Sequence, residues 1–337
     1  MKKQKISWWL GSILVLFVLI LNLSWGSVQI PFKEVVRILL GQEGTKASWE
    51  YIVLHYRLPK AIVAMLVGIA LSLSGLLMQT LFRNPMAESY VLGISAGAGL
   101  GVALVLMGGA VLPAFITPYL TSSYALLLTS VLGSTLLLLL VLGVSHRVKN
   151  SVTVLIVGLM FGSFANAIIS ILTYFSEAEQ LKKYTVWMSG SLGNLTKEML
   201  WLFLIVVGIG VLLSVFLIRR LDALLLGEAY ATSLGINVKQ TRNLIIITTS
   251  LLAGGATAFV GPIAFIGLAV PHMARLLWKT NTHRTLIGAC IWMGSIVLLL
   301  CDMLTQIQPH AILPINAITA IFGAPIVIAL LFKYRVF

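Results

Sequence analysis

The chain has 337 residues, of which 59% are hydrophobic and only 10% charged, with a formal net charge of +13. A soluble chain carries about a quarter charged residues, so this composition excludes an ordinary soluble domain and indicates an integral membrane protein. The apolar runs approach the roughly 20 residues that cross a bilayer as a helix, and no stretch alternates as a membrane β-strand does.

The predicted fold class is all-α, a polytopic membrane protein forming one transmembrane domain over residues 1–337. About ten helices are expected, near 7–26, 58–82, 90–109, 120–145, 152–175, 199–218, 241–260, 263–278, 285–305 and 313–333. Lys2, Lys3 and Lys5 precede an apolar run too long for a signal peptide and lacking a small-residue cleavage site, so a retained first span is expected. Arg57-Leu58-Pro59-Lys60 opens the second helix, with Pro59 in a first turn where its missing N–H costs nothing. Interfacial anchoring and docking of an acidic partner fit those two cations equally. Gln79 and Arg83-Asn84-Pro85-Met86-Ala87-Glu88 then form a polar turn.

Gly93, Gly97 and Gly101, four residues apart, give the third helix a smooth stripe, and Gly158 and Gly162 repeat it in the fifth. Such spacing lets helices approach closely in lipid and implies a tight bundle. The segment 177–197, with Tyr184, Trp187 and Met188, is expected on the outer membrane surface, lining an entrance. Residues 219–242 form the most charged inner stretch, with Leu224, Leu225, Leu226 and Ala229 as an apolar face between the turn-forming Gly227 and Gly235. Gly261-Pro262 breaks the seventh helix from a short eighth, a break tolerated where it is buried or lines a cavity. Asn166, His272 and Asp302 are polar groups within spans. Asp302, close to the outer end of its helix, is expected to reach water or a partner. No second carboxylate or histidine accompanies them at metal-ligand spacing. Cys290 and Cys301 share a helix face but lie too far apart to bond, and are read as apolar fillers.

Placing the N-terminus inside puts fifteen of the 23 basic residues on the inner face with three acids. Eight basic and six acidic residues fall outside. Both termini are therefore expected in the cytoplasm, and the excess of positive charge is a topology signal rather than a sign of nucleic-acid binding. The sequence has no G-x-x-x-x-G-K-[ST] phosphate loop, no G-x-S-x-G elbow and no H-E-x-x-H pair, so an enzyme or a self-powered pump finds no motif to rest on.

Taken together, Arg57-Leu-Pro-Lys60, Arg83-Asn-Pro-Met-Ala87, Gly93-Ile-Ser-Ala-Gly97, Leu226-Gly-Glu-Ala-Tyr-Ala-Thr-Ser-Leu-Gly235, Gly261-Pro-Ile-Ala-Phe-Ile-Gly267 and Pro271-His-Met-Ala-Arg275 resemble the FecCD-type permeases. These are the membrane subunits of bacterial importers for iron–siderophore, haem and vitamin B12, and the resemblance covers nearly the whole chain. It implies a multi-pass protein of the bacterial cytoplasmic membrane, paired with a second permease subunit, two ATP-binding subunits that carry ATP and Mg, and an extracytoplasmic binding protein. It implies no cofactor or metal on this chain. Arg57 and Lys60 would dock the binding protein. Asn84, Met86, Asn150 and Ser151 would lie near the inner gate, with Phe161 and Asn166 lining the pathway. Asp222, Leu226, Gly227, Glu228, Ala229, Ala231, Leu234 and Gly235 would couple to the ATPase through two short helices. The chain departs from the family's Glu-x-Pro-x-Gly at Ile312-Leu-Pro314-Ile-Asn316. The alternatives are a secondary, ion-coupled carrier, and a membrane enzyme or receptor.

Overall fold

The computed structural model describes residues 2–88, 93–108, 122–145, 151–308 and 312–333, and every regular element among them is a helix. In chain order these are α1 (Lys2–Ser24), α2 (Phe32–Leu39), α3 (Ala47–Leu81), α4 (Ile94–Met107), α5 (Ser123–Ser145), α6 (Ser151–Phe175) and α7 (Ala178–Met188). There follow α8 (Lys197–Phe216), α9 (Ile218–Leu225), α10 (Glu228–Ser233), α11 (Val238–Val260), α12 (Ile266–Trp278), α13 (His283–Thr305) and α14 (Ile315–Lys333). Among the described residues six helices are long and apolar enough to cross a membrane, namely α3, α5, α6, α8, α11 and α13. Shorter apolar helices lie at Trp9–Ser24, Ile94–Met107 and Ile315–Ile326.

The expected start of the second helix at Pro59 needs correction. Helical chain runs unbroken through 47–81, and Pro59 sits inside it. A proline there has no N–H for the carbonyl four residues back, and its ring crowds that carbonyl. The π-helical turn Val53–Arg57 immediately before it widens the helix at that seam, so the chain continues instead of stopping. A second π turn, Ser250–Gly254, interrupts α11. The helix expected at 90–109 starts at Ile94, with 89–92 and 109 outside the described residues.

The bundle is organised around α3. Its most apolar stretch is 78% buried, against 28%, 22% and 28% for α5, α6 and α8, whose outer faces are left for lipid or a partner. The close approaches are glycine contacts, at the predicted stripe in α4 and also at Gly68 and Gly75, which lie outside it. A methyl on Gly68 would stand 2.1 Å from the Gly294 carbonyl oxygen of α13, and one on Gly75 would stand 1.8 Å from that of Gly267 in α12. In α4, a methyl on Gly97 would stand 2.6 Å from the Gly133 carbonyl oxygen of α5. Removing Cβ lets the backbones meet and gain dispersion contacts where lipid provides no hydrophobic drive.

Candidate functional site

The end of the bundle expected to face inward is built from α9, α10 and the turn that closes α3. Gly227 joins the two short helices with φ 113 and ψ 154, a conformation essentially restricted to glycine. Leu221, Ala223, Leu224 and Ala231 pack inward. Leu225, Leu226, Tyr230 and Leu234 project outward, 38%, 65%, 50% and 57% exposed, with Ala229 and Gly235 beside them. The predicted apolar face is therefore corrected in two places: Leu224 is a core residue, and Tyr230 joins the outward patch. Ala231, which the family resemblance implied for coupling, is buried as well. Glu228 lies 3.5 Å from the buried Arg242 guanidinium.

Asp222 also turns inward. Its Oδ1 accepts the backbone N–H of His283 at 2.9 Å and lies 2.7 Å from the ring Nδ1, which caps the first turn of α13. The other ring nitrogen of His283 lies 2.8 Å from Thr80 Oγ1 at the end of α3.

The turn after α3 closes with Arg83 at φ 46, in the place a glycine usually takes. Arg83 N–H donates to Thr80 O at 3.2 Å and Asn84 N–H to Gln79 O at 3.1 Å, a Schellman closure. Arg83 Nη1 lies 3.2 Å from where a Cβ on Gly227 would stand, so the turn and the α9–α10 pair touch directly. Asn84 Oδ1 accepts the Met86 N–H at 2.9 Å and fixes the turn locally. Gln79 accepts from Arg275 and donates to the Gly267 and Leu268 carbonyls at 3.3 and 3.2 Å. The Glu88 carboxylate accepts backbone N–H groups of Phe265 and Gly267 at the start of α12; burial pushes it up to about 7, against the pull of those two donors.

At the end expected to face outward, the two expected docking cations are engaged within the chain. Arg57 is buried and donates to Leu23 O at 2.7 Å and to Val28 O. Lys60 Nζ lies 2.7 Å from Asp302 Oδ1, with Lys60 20% and Asp302 1% exposed. Asn22 donates to Asp302 Oδ2 at 3.0 Å and Gln306 to the same oxygen at 3.3 Å. Asp302 thus reaches no water; it is neutralised by Lys60, and only Lys60 keeps contact with the rim. Both line a cavity of about 460 Å³ beneath Gly190–Asn194. A second cavity, about 660 Å³, lies beside α7 and is lined by Glu179, Lys182, Lys183, Trp187, Asn194 and Phe259. Tyr184 is buried there and stacks on Trp187 at 6.3 Å between ring centres. Asn316, which replaces the expected glycine, accepts the Ala264 N–H at 3.3 Å and so braces the broken segment between α11 and α12.

Along α6, Ser163, Asn166 and Ser170 form an exposed polar stripe flanked by Met160 and Phe164. Phe161 is half-buried and lines a groove of about 600 Å³ between α4, α5 and α6, to the side of that stripe. Asn150 lies outside the described residues; Ser151 opens α6, its side chain likewise outside them. Sequence reasoning did not single out His283 or Thr80.

Comparison with known proteins accords with this arrangement. Residues 14–333 match the FecCD transport family. The chain is similar to the vitamin B12 import system permease protein BtuC of Salmonella typhi, 34% identical over 335 residues, 98% of this chain and 97% of that protein. The BtuC protein of Klebsiella pneumoniae is 36% identical over 332 residues, covering 97% and 94%. A solved structure described as an inward-facing conformation of a metal-chelate type ABC transporter superposes with TM-score 0.85 and 26% identity, covering 98% of this chain and all of that one. PsaBC from Streptococcus pneumoniae shares the fold alone, with TM-score 0.51 and 14% identity over 88% of this chain and 95% of that one.

Proposed function

The chain belongs to the FecCD transport family, and we propose that it is the membrane subunit of an ATP-driven importer for a bulky chelate: cobalamin, haem or an iron–siderophore complex. The observation that carries the reading is the outward patch of Leu225, Leu226, Tyr230 and Leu234, held on glycine-closed helices against the end of the central helix. Exposed apolar side chains on a charged inner loop suit a groove of a soluble partner. Ten helices would cross the membrane with both termini inside. Two such subunits would pair, two ATP-binding subunits carrying ATP and Mg would seat on α9 and α10, and a binding protein would cap the outer end near Lys60. The polar stripe of α6 would face the pathway between subunits, with Asn84 and Met86 at its inner mouth. The names of the vitamin B12 permeases support cobalamin first among the cargoes.

The test is uptake into proteoliposomes holding the full complex, with radiolabelled cyanocobalamin and a ferric hydroxamate as alternative probes. Uptake that requires internal ATP and the binding protein is expected. Uptake driven by an ion gradient without the ATPase would replace this reading with a secondary carrier.

A further inference from the structure

We infer that Asp222, His283 and Thr80 form a strut that makes the central helix α3 move with the ATPase-docking segment, so that His283 and Thr80 are positioning residues for transport. The inference rests on the importer reading and adds a route through the chain for the force. His283 is fully buried, and both its ring nitrogens are engaged. On one side Asp222 of α9 takes the ring Nδ1 at 2.7 Å and the backbone N–H at 2.9 Å. On the other, Nε2 lies 2.8 Å from Thr80 Oγ1, which in turn reaches Leu76 O at 2.9 Å within α3. A rigid imidazole thus bridges α9 to α3 while its own backbone opens α13.

The remaining α9 contacts to the bundle are largely apolar, through Leu221, Ala223 and Leu224. Apolar contacts are non-directional, so helices joined by them can slide at small cost. Hydrogen bonds weaken steeply when bent or stretched, which ties positions and not merely surfaces. Three residues beyond Thr80, the Arg83 side chain packs beside Gly227 between the docking helices, at the same end of α3. Pulling α9 therefore displaces α3 and the Arg83–Ala87 turn together. Without the strut, α9 would tilt on its apolar contacts and leave α3 behind.

The deciding variant is Thr80→Val, which replaces the hydroxyl by a methyl of the same shape, far from any docking surface. In the reconstituted complex, ATP hydrolysis is expected to stay within about twofold of wild type while cyanocobalamin or ferric hydroxamate imported per ATP falls about fivefold or more. Asp222→Ala should lower the same ratio, and Asp222→Asn, whose amide oxygen still accepts from His283, should restore it to within about twofold. Thr80→Val importing at the wild-type ratio, or Asp222→Asn behaving as Asp222→Ala, would overturn the strut. Should Asp222→Ala fail to fold, Thr80→Val alone decides. A wild-type complex that neither recruits an ATPase nor imports with ATP would instead sink the importer reading itself, a result separable from failure of the strut.

Discussion

Replacing Gly227 by alanine tests the docking segment most directly. The residue holds φ 113 and ψ 154, where an L side chain costs about 1–3 kcal/mol. The new methyl would also meet Arg83 Nη1 at 3.2 Å, but that is the far end of a flexible side chain and can shift a few tenths of an ångström. Backbone strain thus outweighs the steric contact. It is small beside the roughly 5–15 kcal/mol that holds a domain together, so the bundle should stay folded. In the free protein the strain is relieved by letting α9 and α10 change their mutual angle, which separates Leu226 from Tyr230 and Leu234. Docking must then restore the original geometry, and affinity for the ATPase should fall by the strain, about 5- to 150-fold. Co-elution titrations in nanodiscs measure this, with thermal unfolding as the control. Gly235→Ala, at φ 79 with nothing within 4 Å of the new Cβ, should weaken docking less. Undiminished docking in Gly227→Ala, or docking lost only together with the fold, would refute the reasoning.

Three further outcomes follow from the geometry. Lys60→Met strands the buried Asp302 carboxylate and should cost about 2–3 kcal/mol, below the 3–5 of a fully buried pair because Lys60 keeps 20% exposure; Lys60→Met with Asp302→Leu should recover most of it, and a thermal midpoint no higher than the single variant's would contradict this. For Glu88 the folded-state value near 7 lies above the ordinary 4.5, so its contribution is full below pH 4.5 and is lost as pH rises through 7, by at most about 3 kcal/mol. Glu88→Gln should flatten the unfolding midpoint against pH across that window, and an unchanged profile would remove Glu88 as its source. Gly68→Ala drives a methyl to 2.1 Å from the Gly294 carbonyl oxygen and should cost about 1–3 kcal/mol by forcing α3 from α13, read as a lowered midpoint with ATPase docking intact.

Features that depend on local spacing were legible in the sequence. The four-residue glycine stripe and the break at Gly261-Pro262 stand where the pattern placed them, and the pair of short helices around Gly227 stands where the family resemblance placed it. Features set by distant partners were not. Lys60 and Asp302 are 242 positions apart, and nothing near either told that the lysine would neutralise the acid. Arg57 looked like a free rim cation because its acceptors are main-chain carbonyls of Leu23 and Val28, which any residue supplies. Leu224 was read as part of an outward face because an eight-residue helix is too short for hydrophobic periodicity to fix its buried side. Pro59 misled because a π turn can absorb a proline that would otherwise mark a helix start.

These partnerships meet on one helix. Arg57 and Lys60 stand at the π turn within α3, and Gln79, Thr80 and Arg83 stand at or just past its C-terminal end, roughly 30 Å away at about 1.5 Å per residue. Between them α3 is almost wholly buried, with glycine contacts to α12 and α13 that leave no room for bending toward either. A close-packed element of this kind moves as a unit or not at all. On the proposed strut, small displacements imposed through Asp222 would then reach the Lys60–Asp302 pair, with little lost on the way. The charged contacts of α3 gather at Arg57–Lys60 and at Gln79–Arg83, while Gly68 and Gly75 bring the stretch between them against α13 and α12. Connection at these two places makes the helix a lever, and close packing between them keeps that lever stiff.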